Sequence, residues 1–221
     1  MKRIMGLVLV LILSLSGFAL AEEAPAMAVT DEAALQLYAP VLDMYRTSVT
    51  EGWDVGQLDE HEMSYSLAYI ETAREDLGYR LIDVDGDGSP ELLIGLIARS
   101  DTEVENILGM YTLENYQPKL VMIGWDRCSY FLLDDMTLLN YGSNSAYSGG
   151  RMLYALKDGE LTVLDAVIHD YELNEAEPFF RTQGSWEAAD GEHMTNEEAD
   201  TLVQGWESRV IRIGYLPLFE D

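Results

Sequence analysis

The chain has 221 residues, with 40 Asp and Glu against 13 Lys and Arg, for a formal net charge of −27. Such an excess of negative charge argues against nucleic acid and anionic membrane surfaces as partners, because both would be repelled. Hydrophobic residues make up 48% of the chain, enough for one domain with a buried core.

Residues 1–21 carry the pattern of a secretory signal peptide. Lys2 and Arg3 form the positive start, Leu7 to Leu15 the apolar run, and Ala19-Leu20-Ala21 the cleavage signal. The alternative is an uncleaved anchor, for which the apolar run is short. The pattern predicts a secreted, extracellular protein with no membrane insertion after cleavage. Residues 22–29 read as a linker, and 30–221 as a single α+β domain.

Thr30 is placed to cap a helix, with Asp31 and Glu32 in its first turn. Ala34, Tyr38, Val41, Leu42, Tyr45 and Val49 follow helical spacing, and Pro40 predicts a kink or a new start within it. Gly52 to Gln57 reads as a loop. Asp59 then predicts the cap of a second helix, with Met63, Leu67, Ile70 and Leu77 on one face and Gly78 just past its end. His61-Glu62 starts a zinc-protease pattern, but Tyr65 stands where the second His is required.

The most informative stretch follows. Asp83, Asp85 and Asp87 alternate, Gly88 and Ser89 come next, and Glu91 closes the set between two apolar runs. Alternating carboxylates in a tight turn can point inward together, and calcium takes about 6–8 such oxygens. A glycine in the turn supplies the positive φ that a side chain resists. The predicted calcium ligands are Asp83, Asp85, Asp87, Glu91 and the carbonyl of Ser89. An EF-hand needs a Glu at the twelfth position, where Ile94 stands inside an apolar run. The loop therefore predicts a β-hairpin, with residues 79–82 and 92–98 as its strands. The bland alternative is an acidic turn with no metal.

This stretch resembles the calcium loops of FG-GAP and integrin-type repeats. Leu77-Gly78-Tyr79, the acidic run and Glu91-Leu92-Leu93-Ile94-Gly95 are also similar to secreted proteins and lipoproteins of anaerobic gut bacteria. That resemblance covers roughly 20 residues and implies no assigned activity. No Cys lies near the cleavage signal to carry a lipid, a departure from some of those proteins.

Beyond the loop the period becomes that of strands. Asn106 to Leu113, Lys119 to Gly124, Cys128 to Leu133 and Met136 to Tyr141 are strand-like and separated by turn residues. Arg151 to Leu156 and Glu160 to Ile168 flank Lys157-Asp158-Gly159, a strong hairpin signal. Between them Tyr141 to Gly150, rich in small hydroxyl residues, reads as a polar turn or a ligand-binding loop. Thr195 and Glu198 form a capping box ahead of Ala199, Leu202, Val203 and Trp206. Val210 to Phe219 reads as a strand or an extended tail.

The predicted fold is α+β: N-terminal helices, an antiparallel β-meander containing the calcium-loop hairpin, and a C-terminal helix. No catalytic motif emerges, since His61, His169 and His193 are scattered and no G-x-S-x-G or phosphate loop occurs. No organic cofactor is called. The reading is a non-enzymatic extracellular module that binds calcium structurally and meets a surface polymer or another protein. The alternative is a secreted hydrolase with unrecognised catalytic residues.

Overall fold

The computed structural model describes residues 28–219. The stretch read as a signal peptide, and the linker reading up to residue 27, lie outside the described residues.

Helix α1 (Asp31–Glu51) begins at Thr30, whose Oγ1 accepts the Ala33 N–H, and ends at Gly52 with φ 64°. It runs through Pro40 as one helix. The buried stripe of Ala34, Tyr38, Val41, Leu42 and Tyr45 against the sheet outweighs the one backbone bond that Pro40 cannot make.

The expected second helix is replaced by three short pieces. Helix α2 (Val55–Glu60) starts at Asp54, which exchanges capping bonds with Gln57. It ends where Glu62 takes φ 53° and the Met63 N–H reaches back to the Leu58 carbonyl at 2.9 Å. A 3-10 turn (Tyr65–Tyr69) and helix α3 (Ala73–Asp76) follow. Gly78 caps no helix. It lies inside strand β1 (Leu77–Ile82), where an added Cβ would stand 2.7 Å from the Leu216 carbonyl and 2.8 Å from Tyr215.

Strand β1 pairs antiparallel with β2 (Glu91–Leu96), Tyr79 opposite Ile94 and Ile82 opposite Glu91, so the acidic loop joins a hairpin as expected. The strand ends at Leu96, two residues earlier than predicted. Strands β3 (Ile107–Glu114), β4 (Gln117–Ile123), β5 (Cys128–Leu132) and β6 (Leu138–Ser143) come next. Strands β7 (Ser148–Lys157) and β8 (Glu160–Asp170) turn at Asp158-Gly159, both with positive φ. The short β9 (Phe179–Thr182) and β10 (Glu192–Met194) were not foreseen. Helix α4 (Asn196–Glu207) carries the expected Thr195–Glu198 capping box, and β11 (Leu216–Pro217) pairs with β1.

These strands form one antiparallel sheet in the order β10-β9-β8-β7-β6-β5-β3-β2-β1-β11, with β4 branching from β3. The meander is not closed into a barrel, and the architecture is α+β. Strand β2 is covered on both faces. Leu92 and Ile94 pack under α1, while Leu93 packs with Ile107, Met110, Leu132 and Tyr215 on the other side. Its uninterrupted apolar run follows from that double burial. Helix α4 covers Leu133, Leu139, Leu153 and Val167 further along the sheet. Among the described residues no helix is long and apolar enough to cross a membrane.

Candidate metal centre

The acidic loop is held at its rim by several local bonds. Asp83 accepts the Gly86 N–H at 2.8 Å and the Gly88 N–H at 3.1 Å. Asp85 accepts the Asp87 N–H at 3.1 Å, and Asp87 accepts the Ser89 N–H at 2.7 Å. Gly86 and Gly88 have φ 76° and 90°, the conformations that the glycines make inexpensive. The Val29 N–H donates to the Gly88 carbonyl at 3.0 Å, tying the entry of α1 to the loop. From above, the Tyr38 hydroxyl lies 3.1 Å from the Pro90 carbonyl and 3.0 Å from the Tyr111 carbonyl. Burial, followed by the charge of Glu91, pushes that hydroxyl's pKa up, so it stays a donor.

Three of the five predicted ligands come together. Carboxylate oxygens of Asp83, Asp85 and Glu91 all lie within 4.8 Å of one another. Oxygens around one calcium sit at about 2.3–2.6 Å from it, so ligand pairs span up to roughly 5 Å. Asp87 is not part of this trio; its carboxylate accepts the Ser89 N–H instead.

Glu91 sets the electrostatics. It is 1% exposed. Its Oε2 accepts the Val84 N–H at 2.8 Å and its Oε1 accepts the Thr112 hydroxyl at 2.9 Å. Burial pushes its carboxyl up to about 7; those two bonds oppose the rise, and the charges of Asp85 and Asp87 add to it. Asp85 is raised as well, first by burial and then by its acidic neighbours. Among the described residues, no Lys or Arg forms an ion pair with Asp83, Asp85, Asp87 or Glu91. The arrangement is an all-oxygen donor set with excess negative charge, suited to a hard divalent cation.

Sequence reasoning missed Thr112 and Tyr38. Both come from other elements, and nothing in their local patterns marks them as supports of the loop. The other singled-out residues are placed elsewhere. His61 stacks on Trp53, ring centroids 4.5 Å apart, and His193 lies 3.0 Å from the Glu177 carbonyl. Tyr141 donates to Glu207 at 2.7 Å, so it supports α4.

No protein-family model, no curated protein and no solved structure matches the chain.

Proposed function

We propose that the chain is a secreted, non-enzymatic binding module whose 83–91 loop takes calcium as a structural ion. Asp83, Asp85 and Glu91 supply side-chain ligands, the Ser89 carbonyl and water complete the shell, and Asp87 adds its charge beside it. The observation that carries this reading is Glu91, a buried carboxylate facing two aspartates and forming no ion pair with a basic side chain among the described residues. Three carboxylates in so small a volume repel one another, and a divalent cation turns that repulsion into binding energy. The resemblance to FG-GAP-type calcium loops supports calcium over other hard cations. The signal-peptide pattern supports export to a compartment rich in calcium.

The test is thermal unfolding in calcium and in chelator. A ligand of the folded state alone stabilises it by about 2.7 kcal/mol at a hundredfold excess over Kd. For a domain of this size that corresponds to a rise in Tm of roughly 5–11 °C. Identical melting in both conditions would leave the loop an acidic turn and remove the reading.

A further inference from the structure

A second site lies away from the loop, on the face of β5, β6 and β7 opposite α4. A recess of about 290 Å³ is walled by Trp125, Trp186, Tyr130 and Tyr154, with Asn140 and Gly142 on its lining. Its size sits near the lower end for small-ligand pockets, which are mostly apolar with a few fixed polar groups.

Asn140 is 2% exposed, and its amide orientation is set by its bonds. Its Nδ2 donates to the Ser129 carbonyl at 3.2 Å and to the Cys128 sulfur at 3.3 Å. Oδ1 must therefore face the other way, and no described protein donor reaches it. Oδ1 opens onto the recess, where solvent reaches it, so a ligand that covers it must bring a donor of its own. Gly142 keeps the way to it open. A Cβ there would stand 3.0 Å from Asn140 Oδ1 and 3.1 Å from the Met152 methyl.

Trp186 is 52% exposed, yet its loop is pinned. The Ser185 hydroxyl donates to Asp190 at 2.8 Å and accepts the Glu187 N–H at 3.1 Å, and the Thr182 hydroxyl donates to the Ser185 carbonyl. Single exposed aromatics are ordinary on a protein surface, so what matters here is that Trp186 lines the recess beside Trp125. Arg127 and Ser143, joined at 3.1 Å, form the polar lip.

We propose that this recess binds a pyranose unit of an extracellular saccharide. A sugar ring offers C–H groups on its faces, which suit aromatic rings such as Trp125 and Trp186 in the lining. Its edge offers hydroxyl donors for Asn140 Oδ1 and both donors and acceptors for Ser143 and Arg127. A purely apolar ligand would leave Oδ1 unpaired, and an anion would find Arg127 on the lip but an acceptor, Oδ1, inside the recess. The inference gives the proposed binding module its ligand and rests on that reading, but not on the calcium loop.

The experiment is calorimetric titration of the full mature chain, in calcium and in chelator. The probes are cellohexaose, xylohexaose, mannohexaose, maltohexaose and chitohexaose, with indole as a planar apolar control. At least one saccharide is expected to bind saturably at millimolar concentration or below. Trp186→Ala and Gly142→Ala are each expected to weaken it at least tenfold, with circular dichroism and melting close to wild type. The first removes a wall; the second covers Oδ1 without touching the ligand's stacking face. Indole binding with no saccharide response would overturn the saccharide and leave a module with another ligand. Silence from every probe, with the calcium rise intact, would overturn both the ligand and the binding reading. Saccharide binding that neither variant weakens would place the site elsewhere and overturn this recess.

Discussion

Glu91 and Glu105 are each 1% exposed, and they are balanced in different ways. Glu105 carries its cation within the fold: Arg212 Nε lies 3.7 Å away, and the Ala98 and Gly214 N–H groups donate to its two oxygens. Arg212 is fixed in turn by the Asp101 carboxylate and the Ala98 carbonyl, each at 3.1 Å. Glu91 receives two hydrogen bonds but faces Asp83 and Asp85 rather than an arginine. A buried carboxylate with a built-in counter-ion holds two parts of the chain together under all conditions. One without it is stable only when it keeps a proton or when a cation arrives. The difference separates a structural ion pair from a site whose stability depends on the solution.

Breaking the built-in pair is the first test of the contrast. Removing one partner of a fully buried pair costs about 3–5 kcal/mol, but Arg212 is 47% exposed and 3.7 Å away, so solvent screens much of this one. The two amide donors to Glu105 survive as well, so Arg212→Leu is expected to cost about 1–2 kcal/mol, a fall in Tm of roughly 2–8 °C. Denaturant unfolding should show the same loss in calcium and in chelator. A loss that calcium repairs would mean that the two carboxylates are not independent, and the contrast would collapse.

The proton on Glu91 provides the next test. Its folded pKa is raised from 4.5 to about 7, so between those values the folded state holds a proton that the unfolded state has released. Stability then falls as pH rises through that window, by about 3 kcal/mol in all. His169, lowered by burial and by Arg151, acts in the opposite sense, because its folded form is neutral where the unfolded form is charged. The measurement is therefore the difference between wild type and Glu91→Gln, in chelator, from pH 5 to pH 8. Wild type should lose stability relative to the variant across this range. In calcium the ion favours the ionised carboxylate and the wild-type loss should disappear, while Glu91→Gln should gain little from the metal. A flat difference curve would mean that Glu91 is already balanced, as Glu105 is.

What could be read from the chain depended on whether the interaction was local in sequence. The trio of Asp83, Asp85 and Glu91 sits within nine residues, and β1 and β2 flank it directly, so spacing alone exposed the hairpin. Asp158-Gly159 was legible for the same reason, since the turn requires two positive φ angles and these residues tolerate them. The region 53–78 misled because Met63, Leu67 and Ile70 keep helical spacing, while the backbone reverses at Glu62. Gly78 read as a helix stop because the approach of Tyr215 and Leu216 to its backbone comes from the far end of the chain. Thr112 beneath Glu91 and Arg212 beside Glu105 were invisible on the same account. Strands β9 and β10 are short and hold polar residues, so no period marked them.

The smallest expected effect concerns which aspartates belong with Glu91. Asp85 lies in the trio, half-buried, whereas Asp87 is exposed and its Oδ1 is occupied by the Ser89 N–H at 2.7 Å. Asp85→Asn removes a direct ligand charge, so a loss of affinity of about a hundredfold or more should erase most of the calcium-induced rise. Asp87→Asn keeps an oxygen for the Ser89 amide and removes only a neighbouring charge. A tenfold loss of affinity is about 1.4 kcal/mol. At calcium a hundredfold above the wild-type Kd, the variant would still gain about 1.4 kcal/mol, a rise of roughly 3–6 °C. Paired melts of the two variants in calcium and chelator separate the cases. If Asp87→Asn loses the rise as fully as Asp85→Asn does, the Asp87 carboxylate leaves the Ser89 amide to bind the ion, and the loop closes further around calcium than its three-carboxylate arrangement implies.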